Sequence, residues 1–157
     1  MKSFSDHTQY MRKAIEQAQK AAAHDEVPVG AIIIDAKGAI IARANNAVMR
    51  QKSQTAHAEL RALAKAGKKM GDWRLEGCSL YVTLEPCAMC MNAIILSRLD
   101  KVIFGAASPL FGSSKIEKEQ PERLYKKDSL AIISGVLEKD SKLLLQQFFK
   151  QKRKKNE

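Results

Sequence analysis

One histidine, two cysteines and one carboxylate stand out by type and spacing. The stretch TAHAEL at residues 55 to 60 carries His57 and Glu59, and LEPCAMC at residues 84 to 90 carries Cys87 and Cys90. Imidazole nitrogen and cysteine sulfur are ligands that zinc prefers in tetrahedral array. Three protein ligands leave the fourth position to water, the arrangement of a catalytic rather than a structural site. The Cys-x-x-Cys spacing lets both sulfurs reach one ion from the first turn of a helix, whose N-terminal partial positive charge favours thiolate. Zinc lowers the pKa of a bound water to about 7, which supplies hydroxide at neutral pH. Glu59, on the same helical turn as His57, is then free to move protons rather than to ligate.

Other readings of these residues exist. Cys-x-x-Cys is also a thioredoxin-like redox spacing, but that leaves His57 and Glu59 without a role. Cys78 could supply a fourth ligand and close the site, yet it opens an apolar strand and reads better as a buried small hydrophobe. His7 and His24 stand apart from the cluster and read as surface residues of a first helix.

The elements that must position the cluster follow from periodicity. Apolar or small residues at Met11, Ile15, Ala18 and Ala22 predict an amphipathic helix from Asp6 to about Ala23, capped by Ser5 or Asp6. VPVGAIIID, the turn AKG and AIIARA predict a hairpin over residues 29 to 44, followed by a polar, irregular segment from Asn45 to Gln54. A helix starting near Thr55 or Ala56 is expected to stop at Gly67. CSLYVTL, then a helix over CAMCMNAIILSRL entered by Pro86, then KVIFGA make a strand–helix–strand crossover, so those two strands should be parallel. Residues 107 to 128 read as a loop with a short helix, LAIISGV as a fifth strand, and the segment from about Lys139 as a final helix running into a basic tail. The sum is a single α/β domain over residues 1 to 157, a three-layer α/β/α sandwich around a five-stranded mixed sheet, with a basic C-terminal helix and tail from about 138.

The chain of 157 residues can bury a core without disulfides or a structural metal. Its 27 Lys and Arg against 17 Asp and Glu give a net charge of +10, partly concentrated in the closing KQKRKKNE. That balance suits a polyanionic partner and equally suits a solubilising tail. No apolar run reaches the ~18 residues of a membrane span, and the N-terminus lacks a secretory core, so the expectation is a cytoplasmic protein without a membrane partner.

His-x-Glu followed by Pro-Cys-x-x-Cys is the signature of zinc nucleobase deaminases. Around it, EVPVGA at 26 to 31, Asn46 ahead of TAHAE, LYVTLEPCAMC at 80 to 90, SRLDKVIFGA at 97 to 106 and LLLQQFFKQKRK near the end cover nearly the whole chain. On these residues it resembles the bacterial tRNA-specific adenosine deaminases of the cytidine deaminase-like superfamily. The resemblance implies one zinc per subunit on His57, Cys87 and Cys90, with Glu59 as proton shuttle. It implies conversion of adenosine to inosine at the wobble position of an arginine tRNA, by a homodimer that grips the anticodon stem-loop.

By the same resemblance Asn46 contacts the flipped base, Pro28, Val29 and Ala58 wall its pocket, and Phe149 and Arg153 meet the anticodon loop. Read without it, Asn46 is a turn residue, Phe148 can pack on the sheet while Phe149 or its neighbours offer a stacking face beside Lys and Arg, and a plain core-facing helix is the alternative for both phenylalanines. A free-base or nucleoside deaminase acting on guanine or cytosine, and a non-catalytic zinc RNA-binding module, are the alternatives. One stretch departs from the family pattern: after FGA, where an acidic residue and a Lys-x-Gly run are usual, this chain has ASPLFGSS, with Ser108, Leu110 and Phe111.

Overall fold

The computed structural model describes residues 2–126 and 129–157. A five-stranded sheet has the order β2-β1-β3-β4-β5, where β1 is Gly30–Ile34, β2 Ile40–Asn45, β3 Ser79–Leu84, β4 Lys101–Ala106 and β5 Ala131–Ile133. The β1/β2 hairpin and the β1/β3 pair are antiparallel, whereas β3/β4 and β4/β5 are parallel. The crossover from β3 to β4 and the mixed sheet therefore agree with the sequence reading.

Alternation along the strands gives the sheet two apolar faces. Ile32, Ile34, Tyr81 and Ile103 turn toward Met11 and Ala14 of α1 (Phe4–Ala23) and toward Val136, just before α6 (Glu138–Lys155). Ala31, Ile33, Leu80, Val82, Val102 and Phe104 turn the other way, toward Ala58, Ala62 and Leu63 of α3 (Ala58–Met70) and Met91 and Ile94 of α4 (Ala88–Leu96). Burying each of these larger aliphatic side chains contributes about 1.5–3 kcal/mol. At Gly30 the sheet meets α1 so closely that any Cβ would collide with the helix backbone at Ala14, so only glycine permits this packing.

Several boundaries differ from the sequence reading for local reasons. The first helix starts at Phe4 because Ser3, not Ser5 or Asp6, is the cap. Ser3 Oγ accepts the Asp6 N–H and the Asp6 carboxylate accepts the Ser3 N–H, a reciprocal capping box contributing about 1 kcal/mol. His7 is not a surface residue: it is buried under α1 with its Nδ1 2.9 Å from the Tyr81 hydroxyl. His24 is exposed, as read. Helix α3 runs through Gly67 to Met70 and ends at Gly71, which takes the left-handed conformation that glycine adopts freely. The segment after Asn45 contains one helical turn, α2 (Val48–Gln51). Within the stretch read as a loop, α5 (Ser113–Glu119) and a 3-10 turn Pro121–Arg123 form, while residues 127 and 128 lie outside the described residues.

Strand β2 lies at one edge of the sheet, and α3 protects it. Arg61 Nη1 donates to the Asn45 carbonyl and Lys65 Nζ donates to the Arg43 carbonyl, at 2.7 Å for the lysine. Four residues of helix rise about 6 Å and two residues of strand about 6.6 Å, so cations at i and i+4 match alternate carbonyls of the strand. Two of the edge strand's carbonyls are thereby occupied by side chains.

Candidate active site

The metal ligands come from the N-termini of two helices on the same face of the sheet. His57 and Cys87 are the N-cap residues of α3 and α4, both in extended conformation, and Cys90 follows in the first turn of α4. Neither cap side chain makes a capping hydrogen bond to its own helix, which leaves both free for the cluster. His57 Nδ1 lies 3.8 Å from Cys87 Sγ and 3.4 Å from Cys90 Sγ, and the three ligand atoms all fall within 4.8 Å of one another. A tetrahedral zinc with ordinary Zn–N and Zn–S lengths separates nitrogen from sulfur by about 3.6 Å, so the set fits that ion without rearrangement. Zinc is accordingly the cofactor of this site.

The electrostatics of the cluster favour ligation. The Cys90 thiol donates to Cys87, and with His57 alongside, this holds the Cys87 thiol down to about 4 while the Cys90 thiol is pushed up. His57 is raised by its hydrogen bond to Cys87. One thiolate therefore exists before any metal arrives, and a divalent cation would deprotonate the second. The Gln54 side-chain amide lies 3.4 Å from His57 Nε2, the ring nitrogen that a metal on Nδ1 leaves free. An amide turned with its oxygen toward the ring accepts that N–H and fixes the tautomer.

Glu59 is 4% exposed, two residues past His57. Burial strips water from its carboxylate and raises it to about 7, against the lowering pull of its own backbone N–H and of His57. A carboxyl group poised near neutrality can both accept and return a proton. It stands at the floor of a cavity of about 970 Å³ that is also lined by His57, Cys87, Val29 and Asn46. Asn46 is buried, with its backbone N–H on the Val29 carbonyl at 3.0 Å, so it is a wall residue rather than an exposed turn.

The remaining sequence-derived residues divide. Phe149 lines the mouth of the cavity and is 44% exposed, so it does not face the core. Phe148 also lines the mouth, edge-on to Phe149. Pro28 and Ala58 are buried behind the lining rather than in it, and Arg153 lies outside it. Its neighbour Lys152 is in the lining, with Nζ 2.6 Å from Asp25 and 5.6 Å from the Phe148 ring centre. Sequence reasoning missed two buried carboxylates of the wall, Glu26 and Glu85, although both stand inside the quoted motifs EVPVGA and LEPC. A glutamate one or two residues ahead of Pro in an otherwise apolar stretch was the available signal.

Comparison with known proteins agrees with this geometry. Residues 4–106 match the family described as the cytidine and deoxycytidylate deaminase zinc-binding region. A tRNA-specific adenosine deaminase of Bacillus subtilis is 45% identical over 148 residues, covering 93% of this chain and 90% of that protein. A solved structure from a study of A-to-I editing by tRNA:A34 deaminases at the wobble position superposes with a TM-score of 0.79. It shares 35% identity and covers 88% of this chain and 99% of its own. A guanine deaminase of Bacillus subtilis superposes with a TM-score of 0.63 at 37% identity, covering 71% of this chain and 74% of its own.

Proposed function

The chain belongs to the cytidine and deoxycytidylate deaminase family, and within it to the tRNA-specific adenosine deaminases, and from that premise we propose how its residues convert adenosine to inosine at the wobble position of a tRNA anticodon. The observation that carries this reading is the buried Glu59 beside three convergent ligands, at the floor of a cavity large enough for a nucleotide. The net reaction replaces the exocyclic amine on C6 of the purine with oxygen from water and releases ammonia. His57, Cys87 and Cys90 would hold one zinc ion per subunit, which when bound would make a water nucleophilic at neutral pH.

The chain's own groups do the rest. Glu59 takes one proton from the attacking water and delivers it to the ring nitrogen N1, then takes the second proton from the same oxygen and passes it to the departing amine, which leaves as ammonia. The burial of Glu59 raises its carboxyl to about 7, so that near neutral pH it can both accept and return a proton. Asn46 hydrogen-bonds the base from the wall, Val29 packs on its face, and Pro28 and Ala58 support that wall from behind. Phe149 offers a stacking face and Arg153 a phosphate partner to the anticodon loop, in keeping with a net charge of +10. Among the described residues no helix is long and apolar enough to cross a membrane. The working form is a cytoplasmic homodimer acting on an arginine tRNA.

The test is incubation of the zinc-loaded protein with tRNA transcripts, sequencing for adenosine-to-inosine change, with free adenosine and guanine as parallel substrates. Inosine at the wobble position of one transcript is the expected result. Guanine consumed while every anticodon stays unchanged would replace this reading with free-base deamination.

A further inference from the structure

Asn46 follows the last residue of β2 and lines the cavity, and among the described residues its side-chain amide has no hydrogen-bond partner. Its aim therefore depends on how the backbone beside it is held. The Asn45 carbonyl and the Asn46 N–H are the two polar groups of one planar peptide unit, and each has a partner on a different element. The Asn46 N–H donates to the Val29 carbonyl at 3.0 Å, just before β1. The Asn45 carbonyl accepts Arg61 Nη1, from α3. The Asn45 side chain ties the same junction, its Oδ1 accepting Arg61 Nη1 at 3.2 Å and Arg50 Nη2 at 2.8 Å.

The far end of the segment is held from inside. Helix α2 is one turn long, and its N-cap, Ala47, makes no side-chain capping bond. The buried Glu26 carboxylate takes that place, accepting the N–H groups of Met49 at 3.2 Å and Arg50 at 2.7 Å, the second and third positions that an N-cap side chain ordinarily serves. Asn46 thus stands between a guanidinium on the peptide before it and a carboxylate on the turn after it. Hydrogen bonds to ionised groups are roughly twice as strong as neutral ones. Arg61 also belongs to the helix that carries Glu59, and its own N–H donates to the His57 carbonyl at 3.0 Å.

We propose that Arg61 and Glu26 are positioning residues for the reaction: together they fix the Asn46 amide against the reacting base, and Arg61 does so from the helix that holds Glu59, so that the group gripping the base and the group moving protons keep one register. This rests on the reading of Asn46 as the residue that hydrogen-bonds the base. Lys65 is the natural control. It makes the same kind of bond from α3 to β2, at 2.7 Å, but to the Arg43 carbonyl, two residues away from the peptide that carries Asn46.

The test measures kcat/KM on an anticodon stem-loop RNA for zinc-loaded wild type, Arg61→Met, Arg61→Lys, Glu26→Gln, Lys65→Met and Asn46→Ala, and for Arg61→Met and Glu26→Gln each combined with Asn46→Ala. The Kd of a stem-loop carrying purine without its 6-amine at the reacting position is read in parallel, so that a variant too slow to assay is still scored. Asn46→Ala should lose roughly ten- to a hundredfold, and Arg61→Met and Glu26→Gln roughly three- to tenfold each. In the Asn46→Ala background neither should lose more than about twofold further, because the group they aim is gone. Arg61→Lys, which keeps a donor for the Asn45 carbonyl, should recover most of the loss, and Lys65→Met should match wild type. Losses that add in full to that of Asn46→Ala, or no loss in Arg61→Met and Glu26→Gln, overturn the proposal. So does Arg61→Lys as poor as Arg61→Met, or Lys65→Met as poor as either, which would assign the effect to the packing of α3 on β2. Asn46→Ala equal to wild type overturns the reading of Asn46 and the proposal with it, whereas wild type that makes no inosine overturns the functional reading itself.

Discussion

The floor and the mouth of the cavity are built on opposite plans. At the floor, His57, Glu59, Cys87 and Cys90 lie within the first turns of two helices, so two short stretches of sequence place every reacting group. At the mouth, Met49 comes from the single turn α2, Phe111 from the loop before α5 and Phe149 from α6, and the first two segments are held by Glu26 and Glu85, some two dozen residues away in sequence. The proposed chemistry is thus fixed locally and the proposed substrate contacts at long range. A helix start tolerates no shift of its cap, whereas a braced loop can exchange its exposed side chain without moving its backbone.

That contrast predicts a graded series of losses. Removing a ligand should have the largest effect: Cys90→Ala leaves two ligands, and metal analysis should find the zinc lost together with all deamination. Retention of a full complement of zinc would place a fourth ligand elsewhere. Glu59→Ala comes next, with zinc retained and kcat lower by roughly a hundred- to ten-thousand-fold, the span that general acid–base groups supply. Zinc lost from this variant would make Glu59 a ligand and erase its separate role at the floor.

At the mouth the expected loss is smaller and of another kind. Glu85→Gln keeps one acceptor oxygen but sets an NH₂ group against a backbone N–H, leaving a buried donor unsatisfied at a cost of about 1–3 kcal/mol. The loop from Ser108 to Ser114 should loosen, raising KM for the anticodon stem-loop several-fold while kcat and zinc content stay near wild type. A fall in kcat equal to that of Glu59→Ala would show that the two regions are one unit and end the contrast.

The same division explains what the sequence made legible. The parallel crossover, the hairpin and the ligand set follow from periodicity and from residue types at fixed spacing, and these are local signals. Asn46 read as a turn residue on its own because its burial depends on the packing of β1, β2 and α3, which no nearby residue announces. Glycine after a run of helix formers predicts an end at Gly67, yet α3 continues to Met70 and is capped by Gly71. Helix α3 is held along its length by the contacts of Arg61 and Lys65 with β2. Phe149 could be a core residue by spacing alone, whereas in the fold it is exposed and lines the cavity.

A third region, beneath α1, supplies the smallest effect and a control for the other two. His7 sits against Tyr81, and burial, with Lys101 and Lys2 adding repulsion and Asp6 opposing it, holds its imidazole below the ordinary 6.5. The unfolded chain takes up that proton at about 6.5 and the folded chain only at lower pH. Between the two values the unfolded state binds more protons, so the contribution to stability is fully present above about pH 6.5 and is lost as pH falls through the window down to the folded pKa. His7→Phe should flatten that slope, seen as urea midpoints that change less between pH 7.5 and about 5.5 than those of wild type at equal zinc content. The pH dependence of kcat should be the same in both proteins, because His7 lies on the opposite face of the sheet from Glu59. A shift in the kcat profile of His7→Phe would mean that the packing under α1 reaches the floor through β3, and that the chemistry is less local than its sequence motifs make it.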